Sequence, residues 1–428
     1  MSAERALLVT IQLDPRFSAS AKGADRGESA WSLEDEAQEM KELVASSGCY
    51  VVGEITARRH EPVAGTFLGI GKLEEVAVLV KETQAQVVIV NQQLSPAQQR
   101  NAEELVGTKT IDRTQLILDI FAQRAKSQEG KVQVERAQLR YLLPRLVGKG
   151  IMLSRLGGGI GTRGPGEQKL EVDRRRIRAR ISRLDDELAQ LGRRREATRA
   201  RRKETAVPVA ALVGYTNAGK TTLLNRATGA EAMSRNQLFT TLDPLARRLK
   251  LPDGESLILT DTVGFLHHLP HHLIEAFQAT LEEARDAELL LHVLDASHPL
   301  VAEHARAVEA VLQQLGLREK PVITVLNKRD LVQDARQLES LERAYAPAAA
   351  ISAKTGEGLD RLFALMEQQF SSLLIEPVAL RIPAERADLI ALIYQSGHVL
   401  RRQEHDGVVE LRARLPETLH ASLSSFLS

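Results

Sequence analysis

The sequence predicts an α/β protein with four parts: a small parallel α/β domain, an antiparallel helical hairpin, a doubly wound sheet and a small α/β domain at the carboxyl end. Three observations lead to this prediction. Short apolar runs alternate with helical patterns through most of the chain. A glycine-rich loop at residues 214–222 lies directly between an apolar run and a helical segment. Leucines and isoleucines spaced four and three apart run through an arginine-rich stretch.

Composition indicates a globular chain of several domains. The 428 residues are 43% hydrophobic and 26% charged, and no apolar run approaches the ~18 residues of a membrane span. The amino-terminal residues lack the apolar region of a signal peptide. The single cysteine, Cys49, excludes an intrachain disulfide and fits a reducing cytosol. We therefore expect a cytoplasmic monomer. With a net charge of +1, any nucleic-acid contact requires a local basic patch.

Residues 1–130 are predicted to form the parallel α/β domain. Its expected strands are residues 6–11, 49–55, 87–90 and 110–111, and its expected helices are 31–46, 72–81, 95–106 and 112–126. The segment Gly69-Ile-Gly-Lys72 resembles a phosphate-binding loop but lacks the first glycine and the hydroxyl. We interpret it as a turn before a helix, with nucleotide binding as the alternative.

Residues 131–206 are predicted to form the hairpin, with helices at 132–146 and 170–204. The expected seam of the second helix consists of Ile177, Ile181, Leu184, Leu188 and Leu191. The glycine-rich tip between the helices cannot form a core, but its backbone can approach another surface closely and its cations suit phosphate. The candidate RNA-contacting residues are Arg155, Gly157, Gly158, Gly159, Arg163, Lys169, Arg174, Arg175 and Arg176. The alternative is an arginine-rich helix that is simply solvated.

Residues 207–372 are predicted to form the doubly wound sheet, with strands at 207–213, 256–261, 289–295, 322–326 and 348–352. The loop at 214–222 has the P-loop pattern Gly-x4-Gly-Lys-Thr between a strand and a helix. Its glycines let successive N–H groups point inward, and the helix start adds partial positive charge. Lys220 is expected to reach the β- and γ-phosphates. The predicted phosphate-binding residues are Gly214, Tyr215, Thr216, Asn217, Ala218, Gly219, Lys220, Thr221 and Thr222.

A second pair of motifs indicates which nucleotide binds. Asn327, Lys328 and Asp330 follow a strand, and a carboxylate at this spacing accepts both the N1–H and the N2 amine of guanine. Ser352, Ala353 and Lys354 fit the companion loop, which packs on the base and donates to its O6. Adenine offers no matching donors, so the sequence predicts GTP and GDP as ligands.

The remaining motifs predict a magnesium site and two nucleotide-sensing loops. The expected Mg²⁺ ligands are Thr221, Thr241 (with Thr240 as the alternative) and, through water, Asp261. The Gly264 N–H would sense the γ-phosphate. The predicted nucleotide-contacting residues of these loops are Phe239, Thr240, Thr241, Asp261, Thr262, Val263 and Gly264. Both loops are expected to order on GTP and relax after hydrolysis.

The catalytic water has no evident partner in the sequence. Phe265 occupies the position where signalling GTPases have a glutamine, so the isolated protein is expected to be slow. The catalytic candidates are Lys220, Thr241, Gly264 and Asn217. An asparagine at this P-loop position resembles GTPases in which K⁺ replaces an arginine finger. The histidines His267, His268, His271 and His272 either orient water or flank a helix.

Residues 373–428 are predicted to form the small α/β domain. We expect strands at 376–382, 398–403 and 408–415 and helices at 384–396 and 418–427. No motif assigns this domain a role.

The motifs together resemble the HflX family of translation-factor-related GTPases. The resemblance rests on the P-loop segment, on residues 238–244 and 261–270, and on the stretches 94–100, 111–124 and 158–167. It implies a ribosome-associated GTPase that binds the large ribosomal subunit and rescues or splits stalled or idle ribosomes, notably under stress. It also implies that the amino-terminal domain and hairpin engage ribosomal RNA. Two alternatives stay open: a switch with a protein partner, and a nucleotide-dependent RNA remodelling enzyme.

Overall fold

The computed structural model describes residues 3–14, 31–146, 165–204, 207–229, 239, 245–252, 254, 256–267, 278–373, 378–396, 398–405, 407–415, 419 and 423–427. The chain divides into two compact units. The first comprises Met1–Ala189, Arg235–Leu242 and His267–Gln278, and the second comprises Gln190–Ser234, Asp243–Leu266 and Ala279–Ser428. No helix in the described ranges is both long and apolar enough to cross a bilayer.

The first unit contains a parallel four-stranded sheet, as the alternating pattern predicts. Its strands are β1 (Arg5–Leu13), β2 (Tyr50–Arg59), β3 (Val87–Val90) and β4 (Lys109–Asp112), in the order β2-β1-β3-β4. Its helices are α1 (Leu33–Ser46), α2 (Ile70–Thr83), α3 (Pro96–Val106), α4 (Arg113–Arg124) and α5 (Gln128–Arg145). Capping boxes at Ser32 and Ser95 satisfy free N–H groups at the starts of α1 and α3. Central strands β1 and β3 are apolar and buried, as expected for a parallel sheet covered on both faces.

Both helices predicted for the hairpin are present, and both begin earlier than predicted. The first, α5, begins at Gln128, four residues before the predicted start at residue 132. The second helix, α6 (Pro165–Glu204), begins five residues before the predicted start at residue 170. Gly166 and Lys169 therefore lie in the helix rather than in the tip loop, because proline is well tolerated in a first helical turn. Leu184 of the predicted seam is completely buried. Ion pairs join α5 to α6, with Glu135 on Arg180 and Arg136 on Asp185.

The second unit contains a six-stranded sheet. Its strands are β5 (Val209–Gly214), β6 (Leu245–Lys250), β7 (Ser256–Asp261), β8 (Leu289–Asp295), β9 (Val322–Asn327) and β10 (Ala348–Ala350), in the order β10-β9-β8-β5-β7-β6. Its helices are α7 (Lys220–Thr228), α8 (Gln278–Asp286), α9 (Val301–Gln314), α10 (Ala335–Ala344) and α11 (Leu359–Leu373), with a 3-10 turn at Arg329–Leu331. The chain leaves β5 toward one edge and returns beside it with β8, so β5 ends at the topological switch point.

Strand β6 was not predicted from the sequence. It pairs antiparallel with β7 at the edge of the sheet, and most of its side chains are partly or fully exposed. Its sequence, Leu-Ala-Arg-Arg-Leu-Lys, lacks the apolar character of a central strand. Backbone pairing with an already formed strand determines such an edge, and composition reveals it poorly.

The carboxyl-terminal part of this unit contains a small antiparallel sheet. Strands β11 (Val378–Pro383), β12 (His398–His405) and β13 (Val408–Arg414) run in the order β11-β13-β12 and pack with α12 (Ala387–Ser396). The predicted helix over 418–427 is wrong at its end, where a 3-10 turn covers Ser424–Phe426. Leu427 then forms a bridge with Leu380, so pairing with the β11 edge replaces the predicted helical turn.

Candidate nucleotide site

The P-loop connects the end of β5 to the start of α7 and requires glycine at two points. A Cβ at Gly214 would lie 2.3 Å from the Val293 carbonyl oxygen, and one at Gly219 would lie 2.2 Å from Asn327 Nδ2. Gly219 also has a φ of +98°. Asn217 has a φ of +62°, a conformation that asparagine tolerates better than most residues. The glycines therefore allow the loop to pack against β8 and the Asn327 side chain.

Lys220 is buried at the mouth of this loop. Its Nζ donates to the carbonyl oxygens of Gly214, at 3.0 Å, and Tyr215, at 2.8 Å. Burial lowers the Lys220 pKa to about 8, and the negative charge of Asp261 partly opposes that shift. A phosphate arriving at the loop would supply the negative charge that the buried ammonium lacks.

Thr221 and Asp261 bring together the oxygen donors predicted for Mg²⁺. Thr221 Oγ1 lies 2.6 Å from Asp261 Oδ2, and Asp261 is completely buried at the end of β7. Hydroxyl and carboxylate oxygens are the hard ligands that Mg²⁺ prefers. No cluster of three or more metal-ligating His, Cys, Asp or Glu side chains occurs among the described residues. These residues fit an ion that completes its coordination with phosphate and water.

The segment after Asp261 is bonded to the P-loop through the backbone. The Phe265 N–H donates to the Gly214 carbonyl at 3.1 Å, and the Thr216 N–H donates to the Phe265 carbonyl at 2.8 Å. A Cβ at Gly264 would lie 2.7 Å from Thr216 Cγ2. Phe265 is 1% exposed, so its side chain belongs to the core and presents no polar group.

Asn327 joins three of the predicted motifs. Its Nδ2 donates to the Ala218 carbonyl at 2.7 Å, and its Oδ1 accepts from the Ala353 N–H at 2.9 Å. Lys328 has a φ of +61° and forms an ion pair with Asp295 at 2.6 Å. Asp330 is exposed on the 3-10 turn that follows. The structure thus brings the P-loop and both predicted base-binding segments together.

The Ser352 hydroxyl stabilises the loop that follows β10. Ser352 is completely buried, and its Oγ accepts from the Thr355 N–H at 3.1 Å. The Ser352 carbonyl accepts from the Gly356 N–H at 2.8 Å. Ala353 is buried, whereas Lys354 is exposed.

Two residues that contact the motifs were not identified from the sequence. Arg226 of α7 donates through Nε to the Ala353 carbonyl, at 3.4 Å, and through Nη2 to the Lys354 carbonyl. The His304 ring of α9 stacks on the Tyr215 ring with centroids 3.9 Å apart and an interplanar angle of 8°. Neither residue belongs to a motif, so only long-range packing reveals these contacts.

Phe239 and His267 lie in the first unit, where both are packed. The Phe239 ring meets Phe121 edge-on with centroids 4.6 Å apart. The His267 ring stacks on Trp31 at 4.3 Å, and its carbonyl accepts from Arg113 Nη2 at 2.7 Å. Arg113 is itself paired with Glu39 at 2.7 Å, and both side chains are buried.

Several predicted residues lie outside the described part of the chain. They are Thr240, Thr241, His268, His271, His272, Arg155, Gly157, Gly158, Gly159 and Arg163. Lys169 is described only as a helical position. Arg174, Arg175 and Arg176 lie on α6, where Arg175 is exposed and Arg176 is 3.7 Å from Asp173.

The fold and the site together define a P-loop GTPase. Its P-loop, its Asp-x-x-Gly segment and its Asn-Lys-x-Asp segment follow parallel strands at the carboxyl edge of one doubly wound sheet. Four family models match the chain in order. They are described as GTP-binding GTPase N-terminal (residues 34–122), GTP-binding GTPase Middle Region (124–202), 50S ribosome-binding GTPase (209–328) and HflX C-terminal domain (338–427).

Similar proteins narrow the class to a family. The GTPase HflX of Caldanaerobacter subterraneus subsp. tengcongensis is 47% identical over 424 residues, which are 99% of this chain and 94% of that protein. The GTPase HflX of Escherichia coli K12 is 44% identical over 384 residues, 89% of this chain and 90% of that protein. The chain therefore belongs to the HflX family of GTPases. A solved GTP-binding protein from Sulfolobus solfataricus, in complex with GDP, is also similar, with 24% identity, a TM-score of 0.44 and coverage of 86% of this chain and 99% of that one.

Proposed function

We propose that this GTPase is a cytoplasmic factor that binds the large ribosomal subunit and dissociates or rescues stalled or idle ribosomes, notably under stress. The observation that carries this proposal is the match of residues 209–328 to the family described as a 50S ribosome-binding GTPase. The match of the HflX C-terminal domain over 338–427 supports it.

We also propose a role at the nucleotide for each motif residue. Lys220 binds the β- and γ-phosphates, and the ionised Asp330 accepts the N1–H and N2 amine of guanine. Thr221, Thr241 and Asp261 hold Mg²⁺, which when bound neutralises phosphate charge. The Gly264 N–H senses the γ-phosphate. Because Phe265 is buried and apolar, its side chain cannot orient the attacking water, and basal hydrolysis is slow.

Contacts with ribosomal RNA are assigned to the hairpin. On α6, Arg180 is engaged by Glu135, whereas the arginine side chains of Arg175 and Arg178 are exposed. Exposed arginines on one helix neutralise successive phosphates, and the glycine-rich tip allows close backbone approach. Since the net charge of the chain is only +1, the contact depends on this local patch.

Cosedimentation with purified ribosomal subunits tests the proposal. The protein, loaded with GDP or with a non-hydrolysable GTP analogue, is spun with large subunits, small subunits and intact ribosomes over a salt series. We expect analogue-dependent, salt-sensitive association with large subunits and the appearance of free subunits from idle ribosomes. If association with ribosomal subunits depended neither on the bound nucleotide nor on the salt concentration, the proposal would be contradicted. That result would favour a switch with a protein partner.

A further inference from the structure

The loop that follows β10 contains one backbone donor that the protein does not use. The Ala353 N–H donates to Asn327 Oδ1, and the Thr355 N–H donates to Ser352 Oγ. Between them, the Lys354 N–H has no acceptor among the described residues. Lys354 is exposed, so this donor is available to a ligand.

Arg226 holds the carbonyl groups on the other side of the same peptides. Its guanidinium donates to the Ala353 carbonyl through Nε at 3.4 Å and to the Lys354 carbonyl through Nη2. Gly356, with a φ of +93°, lies in the same loop beside Arg226, and a Cβ there would be in ordinary van der Waals contact with Arg226 Nε at 3.7 Å. Arg226 lies on α7, six residues beyond the P-loop lysine, so it connects the phosphate-binding helix to this loop.

Because a peptide group is planar, the contacts of Arg226 determine the direction in which the Lys354 N–H points. In a trans peptide the C=O and the following N–H point in opposite directions. When Arg226 holds the Ala353 carbonyl, the Lys354 N–H must point away from Arg226. Rotation of that peptide would break the bond to Arg226 and misdirect the donor.

We propose that Arg226 is a positioning residue for guanine recognition, which fixes the Ala353–Lys354 peptide so that the Lys354 N–H donates to O6 of the base. The inference rests on the proposed guanine site formed by Asn327 and Asp330, and it adds a residue outside every nucleotide-binding motif. Arg226 touches neither the base nor the phosphates in this role. It acts through the peptide that it holds.

Calorimetry with three nucleotides separates the contacts to the base. GDP can form every proposed hydrogen bond to the guanine base. IDP lacks the N2 amine that would donate to Asp330, and 6-thio-GDP has sulfur, a weak acceptor, in place of O6. We compare the parent with Arg226→Ala, Arg226→Lys and Asp330→Asn. The control variant is Arg343→Ala, which removes an exposed arginine whose partner among the described residues is Glu339 on its own helix.

Arg226→Ala should weaken GDP binding by about three- to tenfold, the range expected for one poorly oriented hydrogen bond. It should also bring the GDP to 6-thio-GDP affinity ratio close to one and leave the GDP to IDP ratio as in the parent. Arg226→Lys keeps the charge but loses the planar fork, so its 6-thio-GDP ratio should be intermediate. Arg343→Ala should match the parent throughout.

Two results would overturn the inference. An unchanged GDP affinity in Arg226→Ala would show that the loop needs no support from α7. A fall in GDP affinity with an unchanged 6-thio-GDP ratio would show a general effect on folding, with no link to O6. Failure of the guanine site itself is recognised separately, because Asp330→Asn would then leave the GDP to IDP ratio unchanged.

Discussion

At the scale of single residues, the nucleotide site is built mainly from side chains that bond to backbone groups. Lys220 is bonded to two P-loop carbonyls, and Asn327 to one carbonyl and one N–H. Each bond fixes a peptide whose N–H or C=O would otherwise have several orientations. Because these bonds lie within the protein, they limit the conformations open to the loops and so reduce the entropy lost on binding.

Asp330→Asn should weaken guanine-nucleotide binding and leave the fold intact. Asp330 is exposed and forms no ion pair with another described residue, so its loss removes only the carboxylate acceptor for two guanine donors. The expected loss is roughly 1.5–3 kcal/mol, the range for hydrogen bonds to a charged group. Calorimetry measures it, and an unchanged GDP affinity would refute the assignment of this base-binding segment.

Binding of GDP should be accompanied by proton uptake near pH 8. Burial lowers the pKa of Lys220 to about 8, and the negative charge of a bound phosphate should raise it again. Affinity should therefore be greatest below pH 8 and fall as the pH rises above it. At pH 8 about half a proton should be taken up per nucleotide bound, which calorimetry in two buffers of different ionisation enthalpy measures.

Measurement at pH 7 provides the comparison, because Lys220 is then almost fully protonated before the nucleotide binds. Proton uptake on nucleotide binding should be much smaller at pH 7 than at pH 8. Equal uptake at the two pH values would place the titrating group elsewhere.

At the scale of elements, helix α1 carries a carboxyl group whose pKa differs sharply from its ordinary value. Burial raises the Glu36 pKa to about 7. The nearby Glu39 adds to this shift, while the charge of Arg113 and a hydrogen bond from Asn91 oppose it. Asn91 Nδ2 donates to Glu36 Oε2 at 2.8 Å. Folding therefore favours the neutral acid, and its stabilising contribution is complete below about pH 4.5 and lost as the pH rises through 7.

Glu36→Gln should remove this pH dependence from the first unit, because glutamine keeps a neutral acceptor for Asn91. Parent and variant should unfold alike at about pH 4, and the variant should be more stable at pH 8 by roughly 2–3 kcal/mol. The fluorescence of Trp31 reports the unfolding of this unit. Trp31 is the only tryptophan in the sequence, and it is buried in the unit. A stability difference that is the same at both pH values would exclude titration of Glu36.

The hairpin should be the RNA-binding element and should act separately from the nucleotide site. Changing Arg155, Arg163 and Gly157–Gly159 to alanine removes two cations and the close backbone approach at the tip. The variant should bind GTP normally, lose ribosome-stimulated hydrolysis and show a shallower salt dependence, by about one unit of slope per lost phosphate contact. Subunit cosedimentation measures this.

A matched variant on α6 distinguishes the tip from the helix. Arg175→Ala with Arg178→Ala removes two exposed arginines and keeps the tip unchanged. If the tip variant associates with ribosomes as tightly as the parent across the salt series, the tip is a passive connector.

At the scale of the whole molecule, we propose that the nucleotide site is catalytically incomplete without a partner. Phe265 is buried where a water-orienting residue is needed, and it is tied to the P-loop by two backbone hydrogen bonds. Basal hydrolysis should therefore be slow and should rise when large subunits are added. Rapid turnover of the isolated protein would contradict the incomplete site.

Potassium should stimulate hydrolysis more than sodium if the Asn217 side chain positions a cation. The φ of +62° at Asn217 also suits asparagine for backbone reasons alone, so the two roles must be separated. Asn217→Gly keeps that backbone conformation and removes the amide. It should preserve GTP binding and abolish the difference between K⁺ and Na⁺, and equal parent rates in the two salts would remove the potassium proposal.

Much of the fold and the site could be predicted because the signals are local in sequence. The P-loop, with Gly214 and Gly219 at its bends, lies within nine consecutive residues and follows a buried strand. Alternating apolar runs identified all four strands of the first unit, since a parallel sheet buries both faces of its central strands. Edge strand β6 and the final 3-10 turn were missed, because backbone pairing overrides weak local preference there.

The sequence by itself therefore determined the class of nucleotide, most strands of the two larger sheets and the helices of the hairpin. Only the tertiary structure decided which distant groups meet. Arg226 reaches a carbonyl 128 positions away, and Asn327 reaches one 109 positions away. Burial, which no single segment reveals, sets the pKa of Lys220 and of Glu36. The physical reason is that periodicity and turn chemistry act over a few residues, whereas desolvation and hydrogen-bond partnership depend on the packing of the whole domain.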